Sequence, residues 1–131
     1  MKVCVTAIGN DLSSPVDPRF GRCANFIIVD TDSMDFKVMQ NRNVYQSGGA
    51  GIQAAGDVIK EGIKCVISGA IGPNAMGVLS SAGVEFYEAL PGSVRDNIEA
   101  LKEGRLRKIY DPTVPGHFGQ GGRGGGYGRR W

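Results

Sequence analysis

Two arginines and a thiol lie within the run Arg19-Phe20-Gly21-Arg22-Cys23, at the end of a segment that begins Ser14-Pro15-Val16-Asp17-Pro18. Guanidinium groups hold compact anions through charge-assisted hydrogen bonds. A thiol beside a cation loses its proton more readily and becomes a soft metal ligand, so Arg22 is expected to lower the pKa of an accessible Cys23. Pro15, Pro18 and Gly21 limit how the segment can bend, and stiffened loops on a rigid scaffold are common carriers of binding groups. Two glycine-rich runs, Ser47-Gly48-Gly49-Ala50-Gly51 and Gly69-Ala70-Ile71-Gly72-Pro73-Asn74, each stand ahead of a helical pattern. Glycine lets main-chain N–H groups come close to a ligand, and the first turn of a helix adds unpaired donors and a positive dipole end. A plain structural reading stands beside this one. In it Arg19 and Arg22 pair with Asp17 and Asp30, Cys23 is a small buried residue, and the glycines are loop punctuation.

These residues need a frame to bring them together. Lys2–Ile8 reads as a buried strand from its short, β-branched run, Ala24–Asp30 as a second, and Phe36–Gln40 alternates like an edge strand. The period then changes: Ile52, Ala55, Val58, Ile59 and Ile63 recur at helical spacing from Gly51, with Gly62 as the stop. Cys65–Ser68 is a short apolar strand, residues 74–82 a second helix, Val84–Glu88 a fifth strand, and Ser93 a cap for a third helix running to Gly104. The order β-β-β-α-β-α-β-α predicts an α/β fold with a mixed five-stranded sheet, an antiparallel meander followed by parallel crossovers. If the first and fourth strands are neighbours, all three loops gather beyond the strand carboxyl ends, where open α/β sheets bind ligands.

The chain of 131 residues is long enough for one core, expected over residues 1–111, followed by a tail over 112–131. That tail holds eight glycines between 116 and 128, Arg123, Arg129 and Arg130 without an acid, and His117, the one histidine of the chain. Such a composition has too little apolar surface to offset the entropy of ordering, so a flexible Gly-rich C-terminal tail is expected. Net charge is +2 and the tail accounts for three positive charges, so the body is near neutral and offers no broad footprint for nucleic acid. Three cysteines, none in a CxxC pair, fit a reducing cytoplasm. No apolar run approaches the ~20 residues that span a bilayer, so no membrane partner is expected. Hydrolytic metal chemistry is poorly provided for, because the first strand carries no acid. Gly49-x-Gly51-x-x-Ala54 does not directly follow a strand, which argues against a dinucleotide site.

The run Val16–Cys23 continuing through Phe26-Ile27-Ile28-Val29-Asp30, then Gly48-Gly49-Ala50-Gly51, then Val66–Ala75, resembles the dinitrogenase iron-molybdenum cofactor biosynthesis family, which includes the NifX-like proteins and the carboxyl-terminal domain of NifB. The likeness covers roughly residues 1–105. It implies a ribonuclease H-like three-layer fold without nuclease activity, serving as a non-catalytic carrier of an iron-sulfur cluster or iron-molybdenum cofactor precursor, bound transiently. The positions it carries over are Arg19, Phe20, Gly21, Arg22 and the glycine loops. An iron-sulfur precursor is a compact anion, so arginines and main-chain donors suit it. The expected contact set is therefore Arg19, Phe20, Gly21, Arg22, Cys23, Ser47, Gly48, Gly49, Gly51, Gly69, Gly72 and Asn74, with Cys23 and His117 as metal ligands. Metallocofactor donor and acceptor proteins are the expected partners of a monomer. The alternatives are a metal-free regulatory or protein-interaction module of the same fold and a weak RNA binder acting through the tail.

Overall fold

The computed structural model describes residues 1–42 and 49–113. Their elements run β1 (Lys2–Ala7), β2 (Asn25–Asp30), β3 (Phe36–Gln40), α1 (Ala50–Ile59), β4 (Cys65–Ser68), α2 (Pro73–Ser81), β5 (Glu85–Glu88), α3 (Val94–Lys102) and β6 (Lys108–Ile109). Each strand through β5 lies where β-branched and aromatic residues cluster, and each helix where apolar residues recur every three to four positions. The described residues form one mixed sheet of six strands in the order β3-β2-β1-β4-β5-β6. β1 pairs antiparallel with β2 and parallel with β4, placing Val3 opposite Cys65 and Val5 opposite Ile67. The strand count differs from the expected five because β6 adds antiparallel to β5 through Phe86–Ile109 and Tyr87–Lys108. Two residues are too short a run to leave a periodic signal in sequence.

Alternation along the strands sends side chains to two cores. On one face Cys4, Phe26, Ile28, Val66 and Phe86 meet Ala54, Ala55 and Val58 of α1 and Met76 and Leu79 of α2. On the other, Val3, Val5, Ile27 and Ile67 meet Val94 and Ile98 of α3. A sheet between helical layers results, in the way expected of α/β domains. The third helix is fixed at its start by a reciprocal capping box between Ser93 and Asp96. Two apolar positions depart from expectation: Ile8, placed in the buried first strand by its sequence, lies past the end of β1 and is 56% exposed, and Ile52 is 40% exposed because the first turn of α1 turns that side chain away from the core face formed by Ala54, Ala55 and Val58. No helix among the described residues is long and apolar enough to cross a membrane.

Contact with the body extends to Thr113, two residues past the expected boundary at 111. Its N–H donates to the Ile71 carbonyl at 2.9 Å, and its Oγ1 accepts from the Ile71 N–H at 2.8 Å. The tail expected over the rest of the chain falls outside the described residues.

Candidate functional site

The connection from β1 to β2, residues 8–24, passes over the carboxyl end of the sheet from one core to the other. Leu12 and Val16 pack with the α3 face, whereas Phe20 and Cys23 pack with the α1/α2 face. The crossing is held by main-chain pairing: the Phe20 N–H donates to the Ala70 carbonyl at 2.9 Å, and the Ala70 N–H donates to the Pro18 carbonyl. β1 and β4 are parallel neighbours, so both loops leave the sheet at the same end.

Three segments then converge. A cavity of about 310 Å³ is lined by Phe20, Gly21 and Arg22 from the first loop, by Gly49, Ala50, Gly51 and Ile52 at the start of α1, and by Gly72, Pro73, Asn74 and Ala75 at the start of α2. Missing side chains allow this approach. A Cβ on Gly21, whose φ is +94°, would lie 3.1 Å from Gly51 Cα, and a Cβ on Gly51 would lie 3.3 Å from Ala75 Cβ. The caps of α1 and α2 are Gly49 and Gly72, and neither helix has a side-chain cap. The first-turn N–H groups of a helix have no intrahelical partner and carry its positive dipole end. Two helix N-termini and Arg22 therefore line one opening, an arrangement suited to a compact anion.

Seven of the expected residues are thus brought together: Phe20, Gly21, Arg22, Gly49, Gly51, Gly72 and Asn74. Arg19 and Gly69 are not among the lining residues. The Arg19 guanidinium turns back onto Asp17, with Nε to Oδ1 at 3.1 Å and Nη2 to Oδ2 at 3.0 Å. Burial pushes the Asp17 carboxyl upward in pKa, but the hydrogen bonds and charge of Arg19 outweigh it and hold the group below the ordinary carboxylate value. Gly69 serves the crossing instead, since a Cβ there would sit 2.7 Å from the Pro18 carbonyl oxygen. Ser47, Gly48 and His117 fall outside the described residues.

Cys23 corrects the sequence reading. Expected to be accessible and acidified by Arg22, it is fully buried beneath the loop, and burial pushes its thiol up to about 12. Desolvation of the thiolate is the main cause and the negative charge of Asp17 adds to it, while the Arg22 side chain is exposed to solvent. Cys4 and Cys65 are buried too. No cluster of three or more His, Cys, Asp or Glu side chains suited to a metal ion occurs among the described residues.

Asn41 was not singled out by sequence, yet it holds the arginine-bearing turn. Buried at the end of β3, its Nδ2 donates to the Gly21 carbonyl at 3.1 Å and to the Cys23 carbonyl at 2.9 Å. Nothing in a lone polar residue after an alternating strand announces that role. Ala50, Ile52, Pro73 and Ala75 also line the cavity without having been in the expected contact set, although the flanking glycines had marked both segments.

Known proteins resemble the chain over most of its length. Residues 1–104 match the family model described as dinitrogenase iron-molybdenum cofactor. An uncharacterized protein of Methanocaldococcus jannaschii is 31% identical over 112 residues, covering 83% of this chain and 92% of the relative. Among solved structures, the apo form of the orange protein from Desulfovibrio gigas superposes with a TM-score of 0.83 at 34% identity, covering 86% of this chain and 96% of that one. A NifB-like protein from Thermotoga does so with a TM-score of 0.76 at 34% identity, covering 86% and 97%.

Proposed function

The chain belongs to the dinitrogenase iron-molybdenum cofactor family, and from that premise we propose that it is a non-catalytic carrier of a preassembled, anionic iron-sulfur-based metallocofactor or its precursor. The observation that carries the reading is the convergence of Gly21 and Arg22 with the N-termini of α1 and α2 around one cavity. Its donors are main-chain N–H groups and a guanidinium, which suit the sulfide and oxygen surface of a whole anion. Binding of this kind makes no covalent bond to the protein and permits release. Transient carriage requires that property.

The sheet order, with a three-stranded antiparallel half and a parallel crossover half, supports a ribonuclease H-like assignment. In this reading the protein works as a cytoplasmic monomer between a protein that donates the cluster and one that accepts it. The exposed apolar residues Phe36 and Val38 on the edge strand β3 favour a second reading, a protein-interaction module that needs no metal.

Tetrathiomolybdate, a simple sulfide-bearing molybdenum dianion, serves as a probe in anaerobic equilibrium dialysis with molybdenum measured on both sides. Wild type and Arg19→Ala are expected to retain the probe. Arg22→Ala is expected to weaken retention about tenfold, within the range of a lost charge-assisted hydrogen bond. Equal retention by wild type and Arg22→Ala overturns the assigned pocket.

A further inference from the structure

The family match covers residues 1–104, and the described chain continues past it to Thr113. That continuation is anchored on both faces of the sheet: Leu106 is buried in the α3 core, Ile109 in the α1/α2 core, and β6 pairs with β5. Its far end meets the second glycine loop. The Thr113 N–H donates to the Ile71 carbonyl at 2.9 Å, the Ile71 N–H donates to Thr113 Oγ1 at 2.8 Å, and Oγ1 donates to the Gly69 carbonyl at 3.2 Å. Ala70, one residue earlier, is paired with Pro18 and Phe20 of the first loop. Consecutive residues are thus tied to two different parts of the chain, and the next one, Gly72, caps α2 and lines the cavity.

We propose that Thr113 is a positioning residue of the anion pocket, fixing the Ile71–Gly72 peptide so that the Gly72 N–H is presented to the bound anion. The inference rests on the carrier reading above and adds to it the contact that aims one of the main-chain donors. In a trans peptide the carbonyl and the N–H of one plane point in opposite directions, and the plane resists twisting. By holding the Ile71 carbonyl, Thr113 sets the direction of the Gly72 N–H, away from itself. The Gly72 carbonyl is held as well, accepting from the Met76 N–H at 3.0 Å in the first turn of α2. No side chain performs this task at the cap, because Gly72 has none and α2 lacks a side-chain cap bond. A donor fixed in advance binds more tightly, since it need not be ordered when the anion arrives. Removing the Thr113 hydroxyl takes away the acceptor of the Ile71 N–H and lets the plane turn.

The test repeats the tetrathiomolybdate dialysis with the full chain as wild type, Thr113→Val, Thr113→Ser and Ile98→Val, and adds backbone amide NMR spectra of the four anion-free proteins. Valine keeps the shape of threonine without the hydroxyl, and serine keeps the hydroxyl. Ile98 is buried on α3 against the other face of the sheet, so its variant controls for lost stability alone. Thr113→Val is expected to weaken retention about fivefold, the effect of one lost hydrogen bond, with the other two variants within about twofold of wild type. The Gly72 amide resonance is expected to move in Thr113→Val and to stay in place in Ile98→Val. Equal retention by wild type and Thr113→Val overturns the positioning role, as does an equal loss in Thr113→Ser or in Ile98→Val. A Gly72 resonance unmoved in Thr113→Val overturns it without reference to any ligand. No retention by wild type overturns the pocket reading and the donor role of Gly72 with it, and the anion-free spectra keep that failure apart from a failure of the Thr113 contact.

Discussion

The two halves of the 8–24 loop are held by different means. In the first half main-chain pairing to other segments leads, with the Val16 N–H donating to the Gly92 carbonyl at 3.1 Å and the Asp17 N–H to the Thr6 carbonyl at 2.9 Å, and side chains add to it: the Gly9 N–H donates to Ser14 Oγ at 2.7 Å, Asn25 Nδ2 donates to the Gly9 carbonyl at 2.8 Å, and Asp17 takes the Arg19 guanidinium in a two-point pair. In the second half, close backbone approach and a buried ring dominate, with Gly21 against Gly51 and Phe20 packed 5.7 Å from Phe26 between ring centroids. Arg19 and Arg22 stand three positions apart and meet opposite fates as a result. The first is spent on local structure, and the second reaches the cavity.

The comparison breaks hardest at the crossing between the halves. Gly69→Val places a branched side chain where even a Cβ would lie 2.7 Å from the Pro18 oxygen, so the two loops must part. A loss of about 3 kcal/mol, read as a fall of roughly 10 °C in melting temperature, is expected from overpacking against backbone. A melting temperature within a degree or two of wild type would show that the crossing is not what positions the turn.

Asn41→Ala tests the second half more gently. It removes the donor shared by the Gly21 and Cys23 carbonyls and leaves a cavity in a buried position. About 2 kcal/mol of destabilisation is expected in urea titration, together with weaker retention of the anion probe. Unchanged retention at reduced stability would mean that Gly21 and Arg22 are held by their glycine contacts alone.

The smallest effect concerns the thiol beneath the turn. Cys23 has its pKa raised from 9.0 to about 12, so the native state favours the neutral thiol. That preference stabilises the fold fully below the unfolded-state value, and the contribution is lost as pH rises from 9.0 towards about 12. Iodoacetamide at about pH 8 is expected to leave Cys23 unlabelled in the native protein and to label it after unfolding. Rapid labelling of the folded chain would restore the accessible thiol that the sequence suggested.

Much of the frame was legible because its signals are local. Strands β1 to β5 follow short β-branched or alternating runs, and the start of α3 follows Ser93 with Asp96 three residues later. The site was legible in part for the same reason, since glycines ahead of a helix mark a place where main chain can face a ligand. The fate of Cys23 was not, because neighbours in sequence suggested a charged environment while depth is set by Phe20, Phe26 and Ile28, which share its core. Asn41 and Thr113 escaped notice because each acts on a segment at least 18 residues away.

By itself, then, the chain of residues determined the order of elements, the glycine turns and the family likeness, all of which depend on local pattern and composition. Only the packed structure decided which arginine lines the cavity, that the thiol is buried beneath the loop, and that Thr113 pairs with the second glycine loop. Those outcomes depend on desolvation and on contacts between segments far apart in sequence, and both arise only when the loops close against one another.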